Sequence, residues 1–491
     1  MGTKKAKFFA NYTLKRSSHS EQPVEVTRQD YMDLVDHYHT SYDTPEATSP
    51  YLPEVEDSAL PGADEDETDE TAASATNHSW ADLGEEENSA LRDLVAAIGD
   101  ESLTNETIYE RYKALPSPRI SHLSRNIVRR LLHRLSVVER KSEKSMIQYM
   151  SVIDDVRAAG RSLTSGEWSS AIAFAGRCFV KVTAVEVESA LHIWREMEHD
   201  AGVKGTHVTF NILFDIAVKA GKFVLAEMIL KEMSNRNLRL NRFARVGIIY
   251  YHGLRGDGDG VRTAYKALVE AGEIVDTLVM NCVIAALARA GEPTAAYQVY
   301  ERMKHMHAMK NGAKLPVLGW KESRELGRVL ARAAERYKDD PEKRQMLQDE
   351  QSMAPNLRTY LVLVSHYAIR AGELDRVAVI LDEMRFFGVP LHGSILIALL
   401  KGFTIHGGVR YTPWSKARLE GVWSSLQRAL DEHMDQISLG KWMVIWILRA
   451  FAKCSGRDRM LEVWDQVQER WQPSDAELDD VHKVLHSVLA T

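Results

Sequence analysis

A repeat of fixed length constrains the fold of this chain more than any other feature. Gly221, Gly256 and Gly291 lie 35 residues apart, and the residues around them recur in the same register. Three apolar positions and one polar position align relative to these glycines. The apolar positions hold Leu213, Ile248 and Val283; Ala226, Val261 and Ala296; and Met233, Leu268 and Met303. The polar position holds Asn241, Asp276 and Asn311. A period of this length is typical of a solenoid, in which each unit buries its apolar face only against its neighbours.

Each period has room for two short helices. Apolar residues recur every three or four positions between Thr209 and Val218, and again between Val224 and Met233. Gly221 separates the two segments, and a glycine that adopts a left-handed conformation is common at the end of a helix. The pattern predicts an all-α fold built from antiparallel helix pairs.

The residues of one period resemble those of the pentatricopeptide repeat family, of the fungal mitochondrial type. Val208–Asn211, Lys219–Gly221 and Lys231–Met233 are similar to the family's opening residues, interhelix turn and closing helix, and the stretch from Thr277 to Met303 repeats them. The resemblance extends less regularly across residues 115–491. It implies a right-handed superhelical α-solenoid of about eight helix-turn-helix repeats.

The chain divides into segments of different character. We predict N-terminal helices and a first degenerate repeat with a basic helix at 89–164, and regular repeats at 165–311. A helical insertion follows at 312–355, with a cationic helix from Trp320 to Tyr337. The predicted C-terminal part consists of a repeat at 356–392, degenerate repeats at 393–473 and a capping helix at 474–491.

Charge separates the N-terminal region from the repeats. Residues 1–90 contain 6 Lys or Arg and 20 Asp or Glu, so that 56 of the chain's 62 basic and 49 of its 69 acidic residues lie beyond them. The formal charge is therefore −14 before position 91 and +7 after it. Residues 1–88 are acidic and interrupted by prolines, and we predict that they are disordered. Residues 1–20, with five basic residues and no acidic one, are a candidate targeting segment.

The densest basic feature is the stretch from Arg119 to Lys141. On a helical projection its cationic residues lie opposite an apolar stripe, so that one face packs and the other meets phosphate. The predicted phosphate-binding residues are Arg125, Arg129, Arg130 and Arg134. A cationic face that is only solvated is the alternative interpretation.

Signals of catalysis or of a metal centre are weak. The glycine-rich stretch His252–Gly260 lies between two predicted helices, without the preceding strand that a phosphate-binding loop requires. The three cysteines, Cys178, Cys282 and Cys454, are too few for a four-ligand zinc site. We expect no enzymatic activity, no cofactor and no metal, and no apolar run is long enough to span a membrane.

The resemblance also implies how the repeats contact a ligand. In the family, each repeat reads one base of single-stranded RNA through the fifth residue of its first helix and the last residue of the unit, and an apolar second residue wedges between bases. In this chain the base-reading pairs are Ser169 with Thr206, Asn211 with Asn241, Val246 with Asp276, and Asn281 with Asn311 or, across the insertion, Asn356. The corresponding wedges are Val208, Phe243 and Leu278. Val246 departs from the family pattern because valine cannot hydrogen-bond a base, and the apolar Leu361 ends the series.

These implications favour a protein that binds single-stranded RNA in the mitochondrial matrix and acts in splicing, maturation, stability or translation of an organellar transcript. The asparagine pairs are similar to family combinations that prefer cytosine over uracil. Two alternatives stay open. Asparagine near a helix start also serves as a cap. A degenerate array also serves as a scaffold for protein partners, such as a mitochondrial ribosome or a respiratory-complex assembly.

Overall fold

The computed structural model describes residues 27–36, 85–139, 141–179, 181–309, 320–434 and 436–490. The regular elements of these residues are helices, and none of them combines the length and apolar character that a membrane span needs. The α-helices are α1 Arg28–Met32, α2 Glu85–Gly99, α3 Asn105–Lys113, α4 Arg125–Ser136, α5 Glu143–Ala158, α6 Ser165–Arg177, α7 Ala184–Arg195, α8 His207–Lys219, α9 Phe223–Asn235, α10 Arg242–Leu254, α11 Gly258–Glu270, α12 Thr277–Arg289, α13 Pro293–Met309, α14 Trp320–Arg336, α15 Pro341–Glu350, α16 Leu357–Ser365, α17 Leu374–Phe386, α18 Gly393–His406, α19 Lys416–Asp431, α20 Lys441–Ser455, α21 Arg457–Gln468 and α22 Asp475–Ala490.

The first helix of each regular repeat begins at a residue that caps it. The side chains of Thr164, Asn241, Asp276 and Asn356 accept hydrogen bonds from N–H groups in the first turns of α6, α10, α12 and α16. At α8, the N–H of Thr206 donates to the side chain of the residue three positions later, at 3.1 Å. These bonds satisfy groups that a helix terminus leaves without an intrahelical partner.

In four of the repeats, the turn between the two helices contains a glycine. Gly221, Gly256, Gly291 and Gly372 have φ values of 68°, 73°, 87° and 68°. This left-handed conformation is costly for residues with a Cβ atom and accessible to glycine. The spacing of the glycines in the sequence is therefore the spacing of the interhelix turns.

Eight helix pairs stack in chain order within the described residues. They are α4–α5, α6–α7, α8–α9, α10–α11, α12–α13, α16–α17, α18–α19 and α20–α21, and α22 follows them. Each first helix packs against its own second helix and against the first helix of the next pair. The predicted all-α solenoid is therefore confirmed.

The insertion lies outside this stack. α12 packs directly against α16, so the solenoid continues past α14 and α15. The side-chain amide of Gln348, on α15, accepts a hydrogen bond from the N–H of Val275 at 2.6 Å and donates to its carbonyl at 2.7 Å. On α14, Glu335 is 3.6 Å from Arg239. The insertion is thus attached at the starts of α10 and α12.

Residues 27–36 differ from the sequence-based prediction. The prediction places them in a disordered region that spans 1–88, but α1 and the helical turn Asp33–Val35 pack against α11 and α13. α2, moreover, already begins at Glu85. A five-residue helix is too short to give a periodic signal, and its contacts are made with residues far along the chain. Residues 1–26, with the candidate targeting segment, and residues 37–84 lie outside the described residues.

Candidate nucleic-acid interface

The candidate interface is the row formed by the N-terminal turns of the first helices. Because α6, α8, α10, α12 and α16 pack side by side, the N-terminal turn of each helix lies next to that of the following one. In two repeats the fifth residue hydrogen-bonds to the N-cap of the following helix. Residues that are far apart in sequence therefore meet in pairs. The pairs differ in chemistry from one repeat to the next.

Asn211 and Asn241 form the first asparagine pair. Asn211 Nδ2 donates a hydrogen bond to Asn241 Oδ1 at 3.1 Å, and the same Oδ1 accepts from the N–H of Ala244 as the cap of α10. Asn211 is only 4% exposed, and its own Oδ1 has no hydrogen-bond partner in the described residues. A buried acceptor without a partner is unfavourable, so a donor that reached this oxygen would form a stabilising hydrogen bond with it.

Asn281 and Asn356 form the second pair. Asn281 Nδ2 donates to Asn356 Oδ1 at 3.0 Å, and Asn281 Oδ1 accepts from the hydroxyl of Thr359 at 2.6 Å. Of the two partners that the sequence leaves open for Asn281, the structure therefore places Asn356 in contact. Asn311, the other one, lies outside the described residues. In contrast to Asn211, both ends of the Asn281 amide are hydrogen-bonded.

The intervening pair, Val246 and Asp276, has a different chemistry. Val246 is buried and offers no polar group. Asp276 Oδ1 caps α12 through the N–H of Val279 at 3.0 Å and lies 2.6 Å from Nη2 of Arg242. Arg242, 2% exposed, also donates to the carbonyl of Ile274. The polar groups of this repeat are therefore occupied by a buried ion pair.

Ser169 and Thr206, which are predicted to read one base together, are both hydrogen-bonded to Thr209, and their role in base reading stays a prediction. The hydroxyl of Ser169 is 2.8 Å from that of Thr209, in the first turn of α8, and Thr206 is engaged in capping the same helix. Ser169 is buried.

Two of the three predicted wedges are closed to a ligand. Val208 is 2% exposed in the N-terminal part of the core, and Phe243 is 9% exposed. The backbone of Gly327, on α14, faces Phe243, and a Cβ atom added there would lie 3.9 Å from the ring. Leu278 is half-buried. As the structure stands, only Leu278 retains apolar surface for contact with a base.

The basic helix α4 presents its cations unequally. Arg125 and Arg130 are exposed and Arg129 is half-buried. Arg125 donates to Ser162 at 3.1 Å, two residues before the N-cap of α6, which places it beside the row of N-terminal turns. Arg134 instead donates to the carbonyl of Leu103 at 2.8 Å and joins α4 to the loop before α3. Arg134 therefore has a structural role in this contact, and its assignment as a phosphate-binding residue stays a prediction.

A row of cations lies in the last turns of the same first helices, where the sequence pattern indicates only helix ends. It consists of Arg177, Lys219 and Arg289, together with Arg370 in the π-helical turn His366–Ala371 that continues α16. Arg177 and Lys219 both contact Asp215, at 2.7 and 3.1 Å. Partial burial, and then the charge of Arg289, lowers the pKa of Arg370. Lys219, Arg289 and Arg370 could have been found from the sequence, because each lies two residues before a turn glycine.

The glycine-rich stretch at 252–260 forms an interhelix turn. Asp257 caps α11 through the N–H of Gly260 at 2.8 Å and is 2.8 Å from Nδ1 of His252. Gly256 is the turn glycine. Across the part of the chain that the structure describes, no cluster of three or more His, Cys, Asp or Glu could hold a metal ion.

Two repeats match a protein-family model. Residues 208–238 and 279–307 match the pentatricopeptide repeat, described as the PPR repeat. Among solved structures, the chain is similar to the pentatricopeptide repeat protein PPR10 in complex with an 18-nt psaJ RNA element, at 14% identity and a TM-score of 0.33, covering 82% of this chain and 57% of that one. It is also similar to PPR10 from maize, at 16% identity and a TM-score of 0.27, covering 82% and 63%. The chain thus spans about three fifths of the length of those proteins. No curated protein matches it.

Proposed function

We propose that this chain, which is a pentatricopeptide repeat protein by the match of its hairpins at 208–238 and 279–307, binds single-stranded RNA along the N-terminal turns of its first helices. Single-stranded RNA exposes the edges of its bases, and helical repeats read them with two or three side chains per base. The chain provides polar pairs in that position and cations at the C-terminal ends of the same helices.

One observation carries this proposal: the Oδ1 atom of Asn211 is buried, lies in the row of pairs, and has no hydrogen-bond partner in the described residues. A base with an amino group at its edge, such as cytosine, supplies the missing donor. In the neighbouring pair, Asn281 with Asn356, the Oδ1 atom of Asn281 already accepts a hydrogen bond from the hydroxyl of Thr359. RNA contact at Asn281 requires that a base replace an existing hydrogen bond.

Charge supports the same proposal. Beyond position 90 the chain has a formal charge of +7. Arg125 begins the first helix α4, and Arg289 and Arg370 lie at the C-terminal ends of two later first helices. Phosphate contacts of this kind supply affinity without sequence preference, and the amide pairs then supply the preference.

The finer part of the proposal is that the RNA is a mitochondrial transcript, on which the protein acts in splicing, maturation, stability or translation. The experiment is to crosslink the tagged full-length protein to RNA in cells, sequence the attached fragments, and locate the protein by fractionation. We expect enrichment of a small number of unpaired segments from organellar transcripts. Recovery of crosslinks no higher than from an untagged strain would contradict RNA binding, whereas crosslinks to nuclear transcripts would contradict only the compartment.

A second candidate function is that of a scaffold for protein partners. The buried state of Val208 and Phe243 favours it, because these positions do not offer apolar surface to stacked bases. Affinity purification of the same tagged protein, with and without ribonuclease, separates the two functions. Partners that remain after ribonuclease treatment, together with absent RNA crosslinks, would favour the scaffold.

A further inference from the structure

A short segment from the N-terminal region is bound in a groove between two second helices. Residues 27–36 lie against α11 and α13, which belong to neighbouring repeats. Tyr31, Leu34 and Val35 are buried in this groove and belong to the same core cluster as Val261 and Tyr265 of α11. Their spacing of three and four residues places all three side chains on one face of the segment.

The groove forms hydrogen bonds with the backbone of the segment in addition to packing against its side chains. Tyr265 donates its hydroxyl proton to the carbonyl of Tyr31 at 2.9 Å, and Arg262 Nε donates to the carbonyl of Val35 at 3.1 Å. Arg302 donates to the carbonyls of Asp33 and Leu34, both at 2.8 Å, and of Asp36, at 3.2 Å. The last carbonyls of a helix have no intrahelical partner, so cations at this end satisfy them and complement the helix dipole.

A carboxylate completes the pattern that the groove recognises. Asp36 forms an ion pair with Lys266 of α11. At the opposite end, Arg28 of the segment donates to the carbonyl of Val269 at 2.8 Å, close to the end of α11. The recognised pattern is a short helix with Tyr-x-x-Leu-Val on one face and an acidic residue after it.

The segment has the properties of a ligand rather than of a core element. It begins with its own capping box, in which Thr27 and Asp30 bond reciprocally, so its fold is defined locally. Only three apolar side chains are buried, while the conformational entropy of the whole segment is lost on docking. The walls of the groove, α11 and α13, are held in place by α10 and α12 without it.

We propose that the groove between α11 and α13 is a docking site for a short amphipathic helix, and that residues 27–36 of this chain occupy it as a releasable ligand. Binding of a short helix through apolar anchors at i, i+3 and i+4 is an established mode of peptide recognition. The proposal does not depend on RNA binding, because the groove is built from second helices and the amide pairs lie on first helices.

The test uses the full chain and a fluorescent peptide that corresponds to residues 25–38. In the variant Tyr31→Ala with Leu34→Ala, the chain's own segment lacks its anchors, and the groove is free. We expect this variant to bind the peptide at one saturable site, measured by fluorescence anisotropy. The unchanged chain is expected to bind it at least tenfold more weakly, because its own segment competes at a high effective concentration.

Two matched controls assign the binding to the groove. Arg302→Ala, added to the double variant, should lower the affinity for the peptide at least tenfold, whereas Arg385→Ala, which changes an exposed arginine of α17, should leave it unchanged. A peptide that carries the same two alanines should not bind. Equal affinity for both full chains, or no binding to either, would overturn the proposal. Loss of cooperative thermal unfolding in the double variant would overturn it too, since the segment would then be an integral part of the fold.

Discussion

Two consecutive repeats, one starting at α8 and the other at α10, share a backbone and differ in chemistry at the same positions. In the first, Asn211 bonds to the N-cap Asn241 and keeps an unpaired oxygen. In the second, Val246 lies beside the N-cap Asp276, whose charge is paired with the buried Arg242. The N-cap serves both repeats as a cap. The two repeats differ in the residue that contacts this N-cap. That residue decides whether a polar atom there is left to bind a ligand.

This difference shows that recognition and stability use the same residues in this fold. An N-cap must be a residue with a side-chain acceptor, and both Asn and Asp meet that need. Asp adds a charge that must be compensated when it is buried, and Arg242 provides the compensation from the first position of its own helix. A repeat that builds such an ion pair gains a fixed structure and loses a site for a base.

The largest effect is expected from removing the charge of Asp276. Asp276→Asn keeps a cap acceptor and makes the position resemble Asn241, but it leaves the buried guanidinium of Arg242 uncompensated. We expect a loss of about 3–5 kcal/mol in the free energy of unfolding. Urea unfolding followed by circular dichroism measures the loss, and hydrogen exchange locates it, because repeat arrays can unfold in parts.

The double variant Arg242→Met with Asp276→Asn is the control for this prediction. It removes the uncompensated charge and keeps most of the apolar contact, so it should recover most of the lost stability. If the single and double variants are equally destabilised, the ion pair is not what distinguishes the two repeats.

The second effect concerns base preference. Asn211→Ser removes the amide, and by the family resemblance it should shift the preferred base at that position from a pyrimidine towards a purine. The expected cost on the original base is about 1–3 kcal/mol. Selection of bound oligonucleotides from a random RNA pool measures the preference. Val246→Ala is the matched control in the closed repeat and should enrich the same sequences as the unchanged chain; identical selections for Asn211→Ser would make Asn211 structural.

The contrast between the repeats also shows what could be predicted from the sequence. The turn glycines and the polar positions Asn241 and Asp276 follow from the period, and the pairing of Asn211 with Asn241 follows from the family resemblance. The ion pair of Arg242 with Asp276 does not follow from it, since the repeat pattern contains no rule for an arginine at the first position. The docking of Tyr31 against α11 cannot be predicted from the sequence pattern either, because Tyr31 contacts residues more than 200 positions away.

A smaller effect separates charge from base preference. Arg125→Gln with Arg129→Gln should weaken binding to all RNAs by a similar factor and lower the salt dependence of the affinity by roughly 0.7 in log–log slope for each lost phosphate contact. Arg134→Gln is the control, because this arginine is bonded to the carbonyl of Leu103. It should change stability and leave the slope unchanged. Titrations at several salt concentrations would contradict the assignment of α4 if both variants and the unchanged chain had the same slope.

The smallest effect tests the open oxygen of Asn211. At the position equivalent to Ala244, Thr209 and Thr359 are fully buried and bond to Ser169 and Asn281 in the preceding helices. Ala244→Thr therefore introduces a hydroxyl that the fold accommodates twice nearby, and that can donate to Asn211 Oδ1. We expect a gain of about 0.5–1.5 kcal/mol in stability, together with a weaker base preference, because the acceptor is then occupied as it is at Asn281. Ala244→Val has the same shape without the hydroxyl and should show neither change. If the Thr and Val variants have the same unfolding midpoint and select the same RNAs, the oxygen of Asn211 is not the feature that sets this repeat apart.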